Sequence, residues 1–186
     1  KQKAVFLDRD GTINKYVGFL RNINDFELLP DVDKAVKMIN SSSFLAVVVT
    51  NQPVIARGEV TAEELDNIHK KMETLLGKTG AYIDGLYYCP HHPDKGFEGE
   101  IPELKFVCDC RKPRTGMLCQ AAEDFNIDLS SSWIIGDSKN DIQTGLNAGC
   151  KTILINDKSD DFGQDYTVTS LLQGIEIIME ADKIES

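Results

Sequence analysis

The chain has 186 residues, of which 41% are hydrophobic, and a formal net charge of −10 at pH 7. A chain of this length buries about 70% of the surface that its unfolded form exposes, so we expect a single domain over residues 1–186 without a disulfide scaffold. The acidic charge disfavours nucleic-acid binding. No apolar run comes near the ~20 residues that cross a bilayer, so we expect a cytoplasmic protein without membrane contact. We also expect a monomer.

Strands and helices alternate along the predicted path, which is typical of α/β proteins. Short apolar runs predict strands at 4–8, 45–49, 83–88, 132–135 and 152–155, with an edge strand at 167–168. Helical spacing and capping residues predict helices at 30–40 (capped by Asp31), 61–76 (capped by Thr61 and Glu64), 116–125, 141–148 and 170–180. Residues 180–186 are expected to fray. The pattern predicts a Rossmann-like, doubly wound, mostly parallel sheet, and no insertion is long enough for a separate lid domain, so the fold is expected to be capless.

Asp8 and Asp10 stand where the first apolar run ends. Residues i and i+2 of a strand point the same way, so both carboxylates can approach one Mg²⁺ ion where the strand becomes a loop. A carboxylate beside a divalent cation and a phosphate can form an aspartyl-phosphate. The alternative is a strand end followed by an ordinary turn at Asp10 and Gly11, and this segment alone leaves both open.

Three later segments also carry polar or charged side chains at predicted strand ends or in the connecting loops. They supply a hydroxyl with two amides, two cations, and two further carboxylates: Thr50-Asn51-Gln52, Arg111-Lys112, and Asp137 with Asp141. Ligands of doubly wound sheets bind at the carboxyl ends of the strands, so these groups are expected to meet there. The four segments together predict a site for phosphoryl transfer.

These motifs resemble those of the haloacid dehalogenase superfamily of phosphatases, over residues 5–157. The matching segments are Asp8-Arg9-Asp10-Gly11-Thr12, Thr50-Asn51, Lys112, and Gly136-Asp137 with Asp141. Within the superfamily, further segments resemble the heptose-bisphosphate phosphatase family, with the histidinol-phosphate phosphatases as near relatives: 51–58, 87–93 and 108–113. The resemblance implies a magnesium-dependent enzyme acting on a small sugar phosphate.

The resemblance also implies a role for each motif residue. Asp8 is expected to be the nucleophile, Asp10 the general acid and base, and Thr50 and Lys112 the ligands of the phosphoryl oxygens. Magnesium is expected to bind Asp8, Asp137 and the backbone carbonyl of Asp10, while Asp141 orients Lys112 or supports the metal shell. The rest of the substrate is expected to contact Asn14, Tyr16, Val17, Gly18, Phe19, Asn51, Gln52, Pro53, Arg57 and Arg111.

The segment 89–110 carries three thiols and an imidazole on the two sides of one loop: Cys89, His91, Cys108 and Cys110. Such a set suits a four-coordinate, structural Zn²⁺ site with no open position, and the alternative is a group of reduced surface cysteines. His92 is a second candidate for the imidazole, and the resemblance favours His91. A zinc ion here would fix the backbone directly before Arg111 and Lys112.

Other residues have simpler interpretations. Cys119 and Cys150 are expected to be small core residues, and His69 a solvated side chain on a polar stretch of helix. Ser138 and Pro53 stand where the heptose-bisphosphate phosphatases often carry Lys and Ser, so these positions leave the sugar and its anomer open.

Three functions follow from the sequence. The first, which the resemblance implies, is a phosphatase that removes the 7-phosphate of D-glycero-D-manno-heptose 1,7-bisphosphate. The second is a phosphatase for histidinol phosphate or another small phosphomonoester. The third is a zinc-stabilised binding module with an inactive phosphatase site, which the presence of the predicted nucleophile Asp8 disfavours.

Overall fold

The computed structural model describes residues 1–96 and 98–185, and it contains a six-stranded parallel sheet. The strands are β1 (Lys3–Leu7), β2 (Phe44–Asn51), β3 (Gly85–Cys89), β4 (Trp133–Gly136), β5 (Lys151–Ile155) and β6 (Tyr166–Val168). Their order in the sheet is β3-β2-β1-β4-β5-β6, and every neighbouring pair is parallel. From β1 the next two strands are added on one side and the last three on the other, so the strand order reverses between β1 and β4. Doubly wound sheets open a crevice for ligands at such a reversal.

In the described part of the chain, five α-helices cover the two faces of the sheet. They are α1 (Val32–Asn40), α2 (Ala62–Gly77), α3 (Gly116–Phe125), α4 (Lys139–Ala148) and α5 (Leu171–Glu185). Along β1, Val5 and Leu7 face an apolar core shared with α1, α2 and α5, while Ala4 and Phe6 face a second core shared with α3. This alternation explains why the four residues after Lys3 are all apolar, because both faces of β1 are buried from Ala4 to Leu7.

The predicted fold class is confirmed, and most element bounds differ by only one to three residues. Thr61 and Glu64 form the expected capping box at the start of α2. Asp31 does not cap α1: it adopts a left-handed conformation with φ of 59°, and its side chain makes no capping hydrogen bond. The last helix does not fray at residue 180 but continues to Glu185, while Ser186 lies outside the described residues. Within the described part of the chain, no helix has both the length and the apolar character to cross a membrane.

Candidate active site

The carboxyl ends of β1, β2 and β4 bring the predicted catalytic residues into one pocket of about 200 Å³. The amide of Asp8 donates to the carbonyl of Ile135 at 3.0 Å, which ties the residue after β1 to β4. The pocket is lined by Asp8, Asp10, Tyr16, Gly18, Phe19, Leu20, Thr50, Asn51, Gln52, Pro53, Arg111, Lys112, Asp137, Ser138 and Asn140. Side chains that are more than 80 residues apart in the sequence therefore meet at one edge of the sheet.

A larger cleft of about 610 Å³ lies between the segment 21–23 and α2. Of its cations, Arg21 pairs with Glu59, Lys70 pairs with Asp66, and Lys71 donates to the carbonyl of Ile23. It lacks the converging carboxylates of the smaller pocket. The chemistry therefore identifies the smaller pocket as the candidate active site.

Three carboxylates and one buried ammonium group form the centre of the pocket. Oxygens of Asp8, Asp137 and Asp141 all lie within 4.8 Å of one another. Lys112 Nζ donates to Asp8 Oδ1 at 2.8 Å, to Asp141 Oδ1 at 2.6 Å and to the carbonyl of Val49 at 3.1 Å. The single lysine leaves the negative charge of the three carboxylates only partly balanced.

This imbalance affects the acidity of the cluster. Burial raises the pKa of Asp8 well above its ordinary value, and Asp141 raises it further against the opposing charge of Lys112. Burial and Asp141 also raise the pKa of Asp137. Burial would lower the pKa of Lys112, but the two carboxylates outweigh it and raise that pKa. A divalent cation with oxygen ligands would stabilise the ionised carboxylates, so the donor set fits magnesium.

Asp141 is less available to a metal than Asp8 and Asp137. Its Oδ1 accepts from Lys112, and its Oδ2 accepts from the amide and the hydroxyl of Ser138 at 3.2 Å and 2.9 Å. Ser138 and Asp141 also form the capping box of α4. Asp141 thus orients Lys112, which leaves Asp8 and Asp137 as the better metal ligands.

Gly11 allows the loop after Asp10 to pack directly against Asp137. Its φ is +84°, and a Cβ atom there would lie 1.9 Å from Asp137 Oδ2. Any other residue would therefore collide with a carboxylate of the cluster. In the sequence, Gly11 belongs to the superfamily motif that begins at Asp8, and it was also consistent with an ordinary turn.

The carboxylate of Asp10 is held by side chains from three parts of the chain. Its Oδ1 accepts from Arg9 and from Asn14 Nδ2, and its Oδ2 accepts from Gln52 Nε2 at 3.1 Å. Asn14 is fully buried and does not line the pocket, although the resemblance placed it among the substrate-binding residues. The side chain of Asn14 contacts Asp10. Because both carboxylate oxygens of Asp10 already accept hydrogen bonds, the atom of Asp10 that remains for a metal is its backbone carbonyl oxygen.

Asn51 holds the backbone of Lys112. Asn51 Oδ1 accepts from the amide of Lys112 at 2.9 Å, and Asn51 Nδ2 donates to its carbonyl at 3.3 Å. Thr50 is 1% exposed, and its hydroxyl oxygen accepts from Gln52 Nε2 at 3.0 Å. The end of β2 therefore positions the lysine and offers the hydroxyl of Thr50 to the same pocket.

The predicted substrate loop lies at the rim of the pocket. Tyr16, Gly18 and Phe19 line the pocket, whereas Val17 is exposed outside the lining. Arg57 does not line the pocket either: its guanidinium stacks over the ring of Phe19 at 4.2 Å. Arg57 is thus linked to the pocket through its contact with Phe19.

The predicted zinc ligands come together beside β3. The sulfur of Cys110 lies 2.7 Å from that of Cys89 and 3.3 Å from that of Cys108, and His91 Nδ1 lies 3.2 Å from the same sulfur. All of the cysteines are free of disulfides. Hydrogen bonds, first that with Cys89 and then those with Cys108 and His91, lower the pKa of Cys110 to about 5, whereas the same bond with Cys110 raises the pKa of Cys89. One thiolate is therefore favoured within this pair. Three sulfurs and one imidazole nitrogen at this spacing could hold a metal ion, and the set fits tetrahedral zinc.

His92, the two other cysteines and His69 differ in how far they match the expectations from the sequence. His92 lies apart from this cluster, and its Nδ1 accepts from the amide of Asp94 at 3.1 Å. Cys150 is buried as expected, but Cys119 is exposed, because it lies on the outer side of α3. His69 is not solvated: it is 4% exposed, and its Nε2 lies 3.0 Å from Arg9 Nη1.

Comparison with known proteins agrees with this geometry. The chain is 40% identical over 153 residues to the D-glycero-beta-D-manno-heptose-1,7-bisphosphate 7-phosphatase of Escherichia coli K12, a match that covers 81% of this chain and 78% of the relative. It is 42% identical to the protein of the same name from Haemophilus ducreyi, covering 81% of each. The chain belongs to the heptose-bisphosphate phosphatase family. A family model for HAD-hydrolase-like proteins also matches residues 109–169.

A solved structure supports the same family assignment. D,D-heptose 1,7-bisphosphate phosphatase from B. bronchiseptica, complexed with magnesium and phosphate, superposes with a TM-score of 0.83. The two chains are 28% identical, and the match covers 97% of this chain and 99% of the other. The chain is therefore a phosphoric monoester hydrolase of the haloacid dehalogenase fold.

Two pocket residues depart from the pattern of the heptose-bisphosphate phosphatase family that the sequence suggested. Ser138 and Pro53 both line the pocket. The hydroxyl of Ser138 donates to Asp141, whereas a lysine at this position would present a cation. Leu20 and Asn140 also line the pocket and carried no sequence signal. Leu20 lies in a loop and Asn140 in the first turn of α4, and such apolar and amide side chains are too common to single out without the fold.

Proposed function

We propose that the protein is a magnesium-dependent phosphatase that removes the 7-phosphate of D-glycero-D-manno-heptose 1,7-bisphosphate. The observation that carries this proposal is the position of Asp8: it lies at the switch point of the sheet, bonded to Lys112 and beside Asp137. The relatives that are 40–42% identical carry this activity in their names, and those names specify the β anomer.

The first half-reaction would use Asp8 as the nucleophile. Its carboxylate oxygen forms a bond to phosphorus while the bond from phosphorus to the sugar oxygen breaks. Asp10 gives its proton to that sugar oxygen, so the sugar leaves as an alcohol. Lys112 and the hydroxyl of Thr50 donate to the non-bridging oxygens, where charge must be stabilised in the transition state.

The second half-reaction would regenerate the enzyme. Asp10, now a carboxylate, takes a proton from water, and the water oxygen bonds to phosphorus as the bond from phosphorus to Asp8 breaks. Inorganic phosphate leaves, and both carboxyl groups return to their starting states. Asp8 and Asp137, with the backbone carbonyl of Asp10, would hold magnesium, which when bound offsets the repulsion between the anionic nucleophile and the anionic phosphate.

The second metal is proposed to be zinc, held by Cys89, His91, Cys108 and Cys110. Cys110 directly precedes Arg111 and Lys112, and Arg111 Nη1 donates to the carbonyl of His91 at 3.4 Å. Arg111 lines the pocket, so its guanidinium is available to the part of the substrate that carries the 1-phosphate. The loop at 16–19 would contact the sugar.

A phosphate-release screen tests the substrate. It compares both anomers of heptose 1,7-bisphosphate with fructose 1,6-bisphosphate and histidinol phosphate, each with magnesium. We expect the highest kcat/KM for the β anomer of the heptose and a product that keeps its 1-phosphate by ³¹P NMR. A higher kcat/KM for histidinol phosphate would overturn the assignment of the sugar, and no turnover of any phosphomonoester would overturn the assignment of the activity.

A further inference from the structure

Arg9 and His69 form a buried pair behind the active site, and the mechanism above gives neither a role. Arg9 is 0% exposed and lies between the two aspartates that the mechanism uses. Its Nη1 lies 3.0 Å from Nε2 of His69, which α2 carries into the interior from a position 60 residues away. A fully buried guanidinium requires partners, and its position between Asp10 and His69 indicates what it holds.

Arg9 fixes one particular oxygen of Asp10. Its Nη2 and Nε donate to Asp10 Oδ1 at 2.8 Å and 3.3 Å, and Asn14 Nδ2 donates to the same oxygen at 2.9 Å. Three N–H donors on Oδ1 leave little room for a proton there. The proton that a general acid must carry would therefore sit on Oδ2, which accepts only from Gln52 among the hydrogen bonds described.

His69 can hold Arg9 only in its neutral form. A guanidinium is always a donor, so Nε2 of His69 must be the acceptor and its proton must lie on Nδ1. Burial, together with the charge of Arg9, lowers the pKa of His69 to about 4, which is consistent with a neutral ring at physiological pH. The imidazole thus accepts one N–H of Arg9 and leaves the edge formed by Nε and Nη2 for Asp10.

We infer that His69 is a positioning residue for the general acid: it orients the guanidinium of Arg9, which fixes Asp10 Oδ1 and directs Oδ2 toward the leaving oxygen. The inference rests on the proposed role of Asp10 and not on the identity of the sugar. A small rotation of a carboxyl group that must meet a leaving oxygen is costly, because proton transfer depends closely on distance and angle.

Two substitutions at one position separate positioning from packing. His69→Gln places an amide oxygen near the position of Nε2, whereas His69→Asn places it near Nδ1, out of reach of Arg9. Met72→Leu on the same helix, a buried residue of the apolar core, controls for a general loosening of α2. The readout is kcat/KM for an alkyl phosphate, whose leaving oxygen needs a proton, and for an aryl phosphate, whose leaving oxygen needs it far less.

We expect His69→Asn to lower kcat/KM for the alkyl phosphate by about 10-fold or more, and that for the aryl phosphate by about 2-fold or less. His69→Gln and Met72→Leu should leave the ratio of the two close to that of the unaltered protein. Equal losses of kcat/KM on the alkyl and aryl phosphates would overturn the inference. Identical behaviour of His69→Asn and His69→Gln, or unfolding of both variants, would also overturn it. Because neither substrate is a heptose phosphate, failure of the proposed sugar specificity would appear separately.

Discussion

Lys112 Nζ donates to Asp8 Oδ1 at 2.8 Å, although the two residues are 104 positions apart in the chain. The same ammonium group donates to Asp141, and Asn51 holds the lysine backbone from both sides. Asn51 at the end of β2 and Asp141 in α4 thus hold one cation beside the proposed nucleophile.

Asp8→Asn should abolish turnover without unfolding the protein. The amide keeps the shape of the side chain but cannot attack phosphorus, so we expect kcat to fall at least ~10³-fold. The substitution also removes one of three mutually repelling carboxylates, so circular dichroism should show an intact fold and metal analysis an unchanged content of zinc. Ordinary turnover in this variant would contradict the role of Asp8.

Asp10→Asn should impair substrates according to their leaving groups. An amide cannot protonate the departing oxygen, so kcat/KM for sugar phosphates should fall by about 10² to 10⁴-fold. This parameter reports the steps up to departure of the leaving group, so an activated aryl phosphate should lose much less. Equal losses for the two classes would contradict the assignment of Asp10 as the general acid.

Asp137→Asn should stabilise the protein when magnesium is absent. The pKa values of Asp8 and Asp137 are raised in the fold, so their ionisation costs stability as the pH rises from about 4, the ordinary value for Asp, through the raised values. In chelator at pH 8 the variant should melt about 2–4 °C higher, or about 1 kcal/mol, a modest figure because Asp137 is partly exposed. At pH 4 the difference should nearly disappear.

At pH 8, magnesium should reverse the order of the melting temperatures of the unaltered protein and Asp137→Asn. The ion should raise the melting temperature of the unaltered protein and leave that of Asp137→Asn nearly unchanged, because one of its proposed ligands is missing. Glu73→Gln, which removes an exposed carboxylate on α2, is the matched charge control and should respond to magnesium like the unaltered protein. Equal magnesium stabilisation of both Asp137 forms would refute its role as a ligand.

Cys110→Ser should alter activity through the two cations that follow it. Loss of the proposed zinc site would free the backbone at Arg111 and Lys112, and a displacement of about 1 Å at such groups can cost on the order of 10²-fold. A sugar bisphosphate that needs Arg111 should lose more kcat/KM than a small aryl phosphate. Cys119→Ser, at an exposed cysteine outside the cluster, is the control and should change neither activity nor metal content.

Two results would contradict this prediction. An unchanged ratio of the two kcat/KM values in folded Cys110→Ser would mean that the loop stabilises the fold without affecting substrate selection. Much less than one zinc per chain, in protein purified without chelator, would refute the ligand set itself.

Much of the site could be predicted because its residues stand next to strong local patterns. Asp8 and Asp137 each follow a short apolar run that is typical of a buried strand, and the strand order of an α/β sheet then brings them together. Cys89 and Cys110 were predicted from ligand spacing alone. In these cases local chemistry and global topology point to the same arrangement.

The remaining contacts depend on residues that no local pattern connects. His69 lies on a polar stretch of α2 and would be solvated on an isolated helix, but Arg9 turns inward after β1 and gives it a buried partner. Asn14 similarly has a loop residue's sequence context and is buried because Asp10 accepts from it. Asp31 has the composition of a helix cap, but its left-handed backbone directs the side chain elsewhere.

The most direct test of the mechanism is acid quenching during turnover of heptose 1,7-bisphosphate, followed by peptide mass spectrometry. We expect a phosphoryl group on Asp8 that hydroxylamine removes, as for an acyl phosphate, and that is absent from Asp8→Asn. The label should accumulate in Asp10→Asn with an aryl phosphate, because water activation is then slow. Turnover without any label on Asp8, or a label on another residue, would contradict the proposed mechanism.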